Sequence, residues 1–182
     1  PELPGIILMV VSRMRLAWLV GGAAAAAVGF FAAGIFVSKT APESQTVKTL
    51  VPFSLPTSSG DAFSSDRLAG HAVLVNFWAT WCEPCRKEIP LLVAAQALHR
   101  GSLAVVGVAV DELDPVRRFE DEVGLNYTSL VGKTEALALM ERYGNSGQLP
   151  FTLVFDRQGR LRYTKTGEIR GSDLDQWLAD LL

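Results

Sequence analysis

Val73–Pro90 reads VLVNFWATWCEPCRKEIP, and it holds both cysteines of the chain, Cys82 and Cys85, separated by two residues. Ala72–Phe77 leads in as a continuous apolar run, the pattern of a central strand buried on both faces. Pro84–His99 leads out as a helix. Pro90 lies inside it, where a missing N–H and a ring clash predict a kink. This strand–turn–helix unit, with a dithiol at the turn, decides the fold.

The spacing also decides the chemistry. Two cysteines cannot build a disulfide framework, and with only His71 and His99 beside them they do not complete a four-ligand zinc site. His71 reads as a turn residue and His99 as a cation at a helix C-terminus. A thiol attacks as thiolate, and a free cysteine near pKa ~8.5 supplies little of it at neutral pH. At the start of a helix, Cys82 meets free N–H groups and the positive end of the dipole, which favour the anion. Cys85, almost a turn further in, is more sheltered. Cys82 is therefore the attacking sulfur and Cys85 the resolving one. Pro84 presets the first turn at little cost, and Glu83 opposes thiolate formation modestly.

Working outward, Leu103–Val110 is a second buried strand. Asp114 and Pro115 predict an N-cap and a first helical position, Val116, Phe119 and Val123 share a face, and Gly124 stops the helix. Thr134–Tyr143 is another helix. Thr152–Phe155 and Leu161–Thr164 form a hairpin around Asp156–Gly159. Ser172 and Asp175 predict a capping box for a last helix that buries Leu174, Trp177, Leu178 and Leu181. On the N-terminal side, Phe53–Leu55 and Ala62–Phe63 flank a turn at Ser58–Asp61. The fold class is α/β, a mixed central β-sheet with helices on both faces. Glu120–Glu122 reads as a solvated helix face.

Hydrophobic residues make up 49% of the 182-residue chain, and mean hydropathy is +0.24. Both point to a membrane segment. Leu16–Val37, LAWLVGGAAAAAVGFFAAGIFV, carries no charge. As a helix of about 33 Å it would cross a bilayer core of about 30 Å. It is too long for the apolar region of a cleaved signal peptide, so it is read as an uncleaved transmembrane signal anchor. Residues 1–15 form an N-terminal extension, with Met9 or Met14 as candidate starts. Residues 38–50 are a linker and 51–182 the globular domain. Arg13 and Arg15 before the anchor nearly balance Lys39 and Lys48 after it, so orientation rests on the dithiol chemistry. With 17 Lys+Arg against 19 Asp+Glu, no basic excess exists to hold nucleic acid.

The segment Phe77-Trp78-Ala79-Thr80-Trp81-Cys82-Glu83-Pro84-Cys85-Arg86, with Pro90 eight residues after Cys82, resembles the thioredoxin superfamily, and within it the TlpA/ResA-like membrane-anchored thiol–disulfide oxidoreductases. Gly60, Leu68-Ala69-Gly70 and Leu149-Pro150-Phe151-Thr152 extend the resemblance over about residues 51–182. It implies a thioredoxin fold with an N-terminal β-hairpin and a central insertion around Leu113–Gly147. It also implies a cis peptide before Pro150, beside Cys82, where Leu149 and Pro150 bind a substrate strand. Trp78 belongs to the core, and Trp81 is a surface contact for substrate. Asn76 stands where thioredoxins proper carry a buried Asp, so that acid's relay is absent. Glu112 resembles an acid near the dithiol that tunes the thiols, and reads equally as a solvated acid beside Asp111 and Asp114.

The resemblance implies an enzyme on the bacterial cytoplasmic membrane, single-pass, with its domain extracytoplasmic (periplasmic). It would reduce disulfides of particular partners, such as apocytochrome c or respiratory oxidase assembly factors. A membrane thiol donor of the DsbD/CcdA kind would recharge it. No metal and no cofactor beyond the redox-active disulfide Cys82–Cys85 is implied. Two alternatives stand beside it. A Cu(I)-binding assembly factor would ask for CxxxC and a distal histidine, and a thiol peroxidase would ask for PxxxTxxC.

Overall fold

The computed structural model describes residues 47–182. The proposed anchor at Leu16–Val37 lies outside them, and among the described residues no helix is long and apolar enough to cross a membrane. Two short strands, β1 (Ser54–Pro56) and β2 (Ala62–Ser64), pair antiparallel as a hairpin. There follow β3 (Ala72–Trp78), α1 (Glu83–Leu98), β4 (Leu103–Ala109), α2 (Leu113–Val123), β5 (Thr128–Val131), α3 (Lys133–Arg142), β6 (Phe151–Phe155), β7 (Leu161–Thr166) and α4 (Gly171–Leu181). The main sheet runs β5-β4-β3-β6-β7.

All of β3 is buried, as a run apolar at every position but Asn76 requires. It pairs parallel with β4, Val75 opposite Val106, and antiparallel with β6, Val75 opposite Leu153. Strand alternation then sorts the core into layers. Val73, Val75 and Phe77 pack with Leu55, Phe63, Met140 and Phe155 on the side of the hairpin and α3. Leu74 packs with Leu92, Val105, Leu174 and Trp177 on the side of α1 and α4. Asn76 sits between Leu74 and Trp78 in the β3 alternation, so its side chain is directed into this second layer and away from water.

The structure adds and corrects details. Thr128–Val131 is a strand, read in the sequence only as part of the insertion. Its four residues are too few for a period, and it forms because β4 offers a free edge. Helix α2 starts at Leu113 with Glu112 as its extended N-cap, not at Asp114. Pro115 still costs little, since its place in the first turn needs no N–H donor. Helix α4 starts at Gly171, and the carboxylate of Asp173, not the Ser172–Asp175 pair, accepts the Arg170 N–H at 2.9 Å. The end of the predicted linker is already part of the fold. Thr49 bridges Arg160, and the Val51 N–H donates to the Tyr143 hydroxyl at 2.8 Å. Helix α1 continues through Pro90 as one element.

Candidate active site

The C-terminal end of β3 delivers Thr80 and Trp81 to the start of α1. The Thr80 N–H and hydroxyl both donate to one oxygen of Asp111, at 2.9 and 2.6 Å, and the other oxygen accepts the Glu112 N–H at 2.8 Å. Asp111, read as a solvated acid, thus fastens the loop before the dithiol to the end of β4. Cys82 is the N-cap residue of α1, and Pro84 lies in the first turn. Cys82 and Cys85 are joined by a disulfide, with Cα atoms 5.3 Å apart. Cys82 is 6% exposed and Cys85 fully buried, packed in a cluster with Trp78, Ile89, Val116 and Phe119. Access and the helix dipole therefore both single out the first sulfur.

Trp81 projects beside it with 69% of its surface exposed, whereas Trp78 is wholly buried. Glu83 is exposed and bonded to Lys87 at 2.8 Å. The Lys87 ammonium holds the Glu83 carboxyl below its usual range and offsets its charge at the dithiol. The Leu149–Pro150 peptide bond is cis, and Leu149 packs against the cluster that contains both cysteines. The Pro150 carbonyl accepts the Gly167 N–H at 2.8 Å. Glu112 sits at the N-terminus of α2, exposed, with its nearest cation Lys133 at 3.5 Å. Nothing in that placement buries it against the sulfurs.

A different acid, on α1 itself, is buried. Glu88 lies one turn after Cys85 on the same face of α1 and is fully buried. One carboxylate oxygen accepts the Asn76 amide at 2.7 Å, and the other accepts the Ile169 N–H at 2.6 Å. The Asn76 amide also donates to the Thr152 hydroxyl at 2.9 Å. Desolvation dominates and pushes the Glu88 carboxyl up to about 7, against the stabilising Ile169 and Asn76 bonds; the charge of Glu168 adds to the rise and Lys165 opposes it. A carboxyl balanced near neutrality can take a proton from one group and return it to another. The sequence carries a signal for this residue in the periodicity of α1. Cys85, Glu88, Ile89, Leu92 and Ala95 form the inward stripe of α1, and a charge within such a stripe is rarely buried without purpose.

The model of the family described as Redoxin matches residues 37–179. The chain belongs to the Redoxin family. It is 34% identical over 130 residues to the thioredoxin-like protein YneN of Bacillus subtilis, covering 69% of this chain and 74% of that protein. It is 28% identical over 160 residues to the thiol-disulfide oxidoreductase ResA of Geobacillus thermodenitrificans, covering 86% and 88%. Among solved structures, a thioredoxin-family thiol:disulfide interchange protein from Chlorobium tepidum superposes with a TM-score of 0.67 at 31% identity, over 73% of this chain and 94% of that one. This Redoxin-family chain is thus a ResA-like member of the thioredoxin superfamily and a thiol–disulfide oxidoreductase. The hairpin precedes its main sheet, and α2, β5 and α3 lie between β4 and β6. Among the described residues, no group of three or more His, Cys, Asp or Glu is gathered to hold a metal.

Proposed function

We propose that this oxidoreductase works as a reductant on the extracytoplasmic side of a bacterial cytoplasmic membrane, tethered by Leu16–Val37. Its substrates are partner proteins whose paired cysteines must be kept reduced in an oxidising compartment, as in apocytochrome c or respiratory oxidase assembly. The Cys82 thiolate attacks one sulfur of the substrate disulfide, and the other substrate sulfur leaves as thiolate. The Cys85 thiol gives its proton to Glu88, and the Cys85 thiolate attacks Cys82 Sγ. The second substrate thiolate departs and the Cys82–Cys85 bond closes. Two electrons pass to the substrate, and a membrane dithiol donor of the DsbD/CcdA kind restores them. The disulfide is the only redox group required. Trp81, Leu149 and Pro150 form the docking surface, the backbone of Leu149 pairing with the substrate strand beside the cis-proline.

The observation that carries this reading is the asymmetry of the pair, Cys82 at the helix N-cap with 6% exposure and Cys85 fully buried one turn before a buried carboxyl. The test is trapping. A Cys85→Ser chain cannot resolve its mixed disulfide, so membranes of the host should yield adducts on Cys82 that reductant releases. The absence of any Cys82-dependent adduct would defeat the proposal.

A further inference from the structure

The segment between β7 and α4 touches both halves of the site. At its first residue, the Gly167 N–H donates to the Pro150 carbonyl at 2.8 Å. Two residues later, the Ile169 N–H donates to Glu88 at 2.6 Å. Only Glu168 separates the two contacts. Gly167 adopts φ +94°, a left-handed conformation that favours glycine. Ile169 is 1% exposed and packs in the layer with Leu92 and Trp177. The segment is therefore a short link, pinned at one end in the core and hydrogen-bonded at the other to the loop beside the dithiol.

We propose that the turn Gly167–Ile169 is a positioning element that couples the Pro150 loop to the buried carboxyl of Glu88. This rests on the reading of Leu149–Pro150 as the docking loop for substrate. A strand pairing with that loop displaces the Pro150 carbonyl. The displacement passes through Gly167 to the Ile169 N–H, which is a charge-assisted donor when Glu88 is ionised. Tightening or loosening that bond changes how readily Glu88 accepts the Cys85 proton. By linkage, the protonation of Glu88 changes the affinity of the loop for substrate. Occupancy and proton transfer are thereby tied through three residues that touch neither sulfur.

The groups that face Glu88 are few. Cys85 lies on its own helix. Lys165 and Glu168 act on it from β7 and the turn, and Tyr127, from the segment before β5, senses its charge. Asn76 of β3 and Thr152 of β6 do not titrate.

Glycine supplies the test. A Cβ at Gly167 would meet nothing within 4 Å, and the same holds for Gly101, at φ +88°. Alanine at either position strains the backbone without a clash, by about the same amount. Gly101 lies in the turn before β4, away from the coupled groups. The Glu88 carboxyl carbon is followed by NMR against pH in the oxidised full-length chain, where neither cysteine titrates. In Gly167→Ala the Ile169 N–H is pulled from the carboxylate, so the midpoint should rise by about half a unit or more. In Gly101→Ala it should stay at the wild-type value while thermal stability falls comparably. An unmoved midpoint in Gly167→Ala, or an equal shift in Gly101→Ala, overturns the coupling. Exchange of a Leu149→Ala chain with a peptide disulfide tests the docking reading separately. Slower exchange supports the loop's role, and a wild-type rate removes it.

Discussion

Replacing Glu88 by Gln should flatten the dependence of stability on pH and slow the closing step of the reaction. Its carboxyl is raised from 4.5 to about 7 in the folded chain. Below the lower value it is neutral in both folded and unfolded states, and burial carries no ionisation cost. Between the two values the unfolded chain ionises and the folded chain does not. Above the upper value the folded chain must hold a buried anion. Stability is thus fully present at low pH and is lost as pH rises through about 7, in all by about 3 kcal/mol at about 1.4 kcal/mol per unit. Glutamine cannot ionise; its carbonyl can keep the Ile169 N–H, and with the Asn76 amide turned over its Nε2 can donate to the Asn76 carbonyl oxygen, which has no partner among the described residues of the wild-type protein. Urea unfolding of the oxidised chains at about pH 4 and about pH 8 should show the wild type losing about 3 kcal/mol more than Glu88→Gln. In single-turnover experiments the decay of a mixed disulfide on Cys82 should slow by about a hundredfold without the acid. Equal pH slopes in the two proteins, with an unchanged resolution rate, would refute the assignment.

Other substitutions separate docking, architecture and chemistry. Trp81→Ala removes a side chain that is 69% exposed, so stability should change by less than about 0.5 kcal/mol while KM for a protein disulfide rises about tenfold. Gln96 pairs with the edge of β4 beyond the reach of β5, donating to the Leu103 carbonyl at 3.3 Å and accepting the Val105 N–H at 2.8 Å. Gln96→Leu should cost about 1–3 kcal/mol in denaturant unfolding, because it leaves both strand groups without partners. Glu112→Gln should leave the alkylation rates of both thiols unchanged, since Glu112 faces Lys133 at the surface.

Much of the architecture is legible in residues taken singly. The apolar run before Trp78 can be satisfied only by a strand covered on both faces, and CxxC at its end places the dithiol at a helix start. The strand β5 is not legible, because Thr128–Val131 owes its conformation to the edge of β4 and to the bridge from Thr57 to Leu130. Cap positions shifted for a related reason. Asp114 and Ser172 have capping chemistry, but Glu112 and Arg170 are the residues the chain leaves extended. The site divides in the same way. Cys82, Pro84 and Cys85 lie together in sequence, so local rules reach them, whereas the roles of Trp81 and Pro150 follow only from the family resemblance. Glu88 acquires its character from burial, among Asn76 and Ile169 that bond its oxygens and Thr152 that bonds Asn76, which come from three other segments and close around it only in the folded chain. Glu112, the acid after β4, stands in a locally suitable place but faces water and Lys133.

The central claim is that the two sulfurs differ in role, Cys82 attacking and Cys85 resolving from a buried position. It is tested most directly by brief alkylation of the fully reduced chain with iodoacetamide across neutral pH, with each cysteine quantified by mass spectrometry. Cys82 should be modified first throughout, with Cys85 protected by at least about tenfold in rate. Modification of Cys85 as fast as Cys82, or faster, would contradict the account.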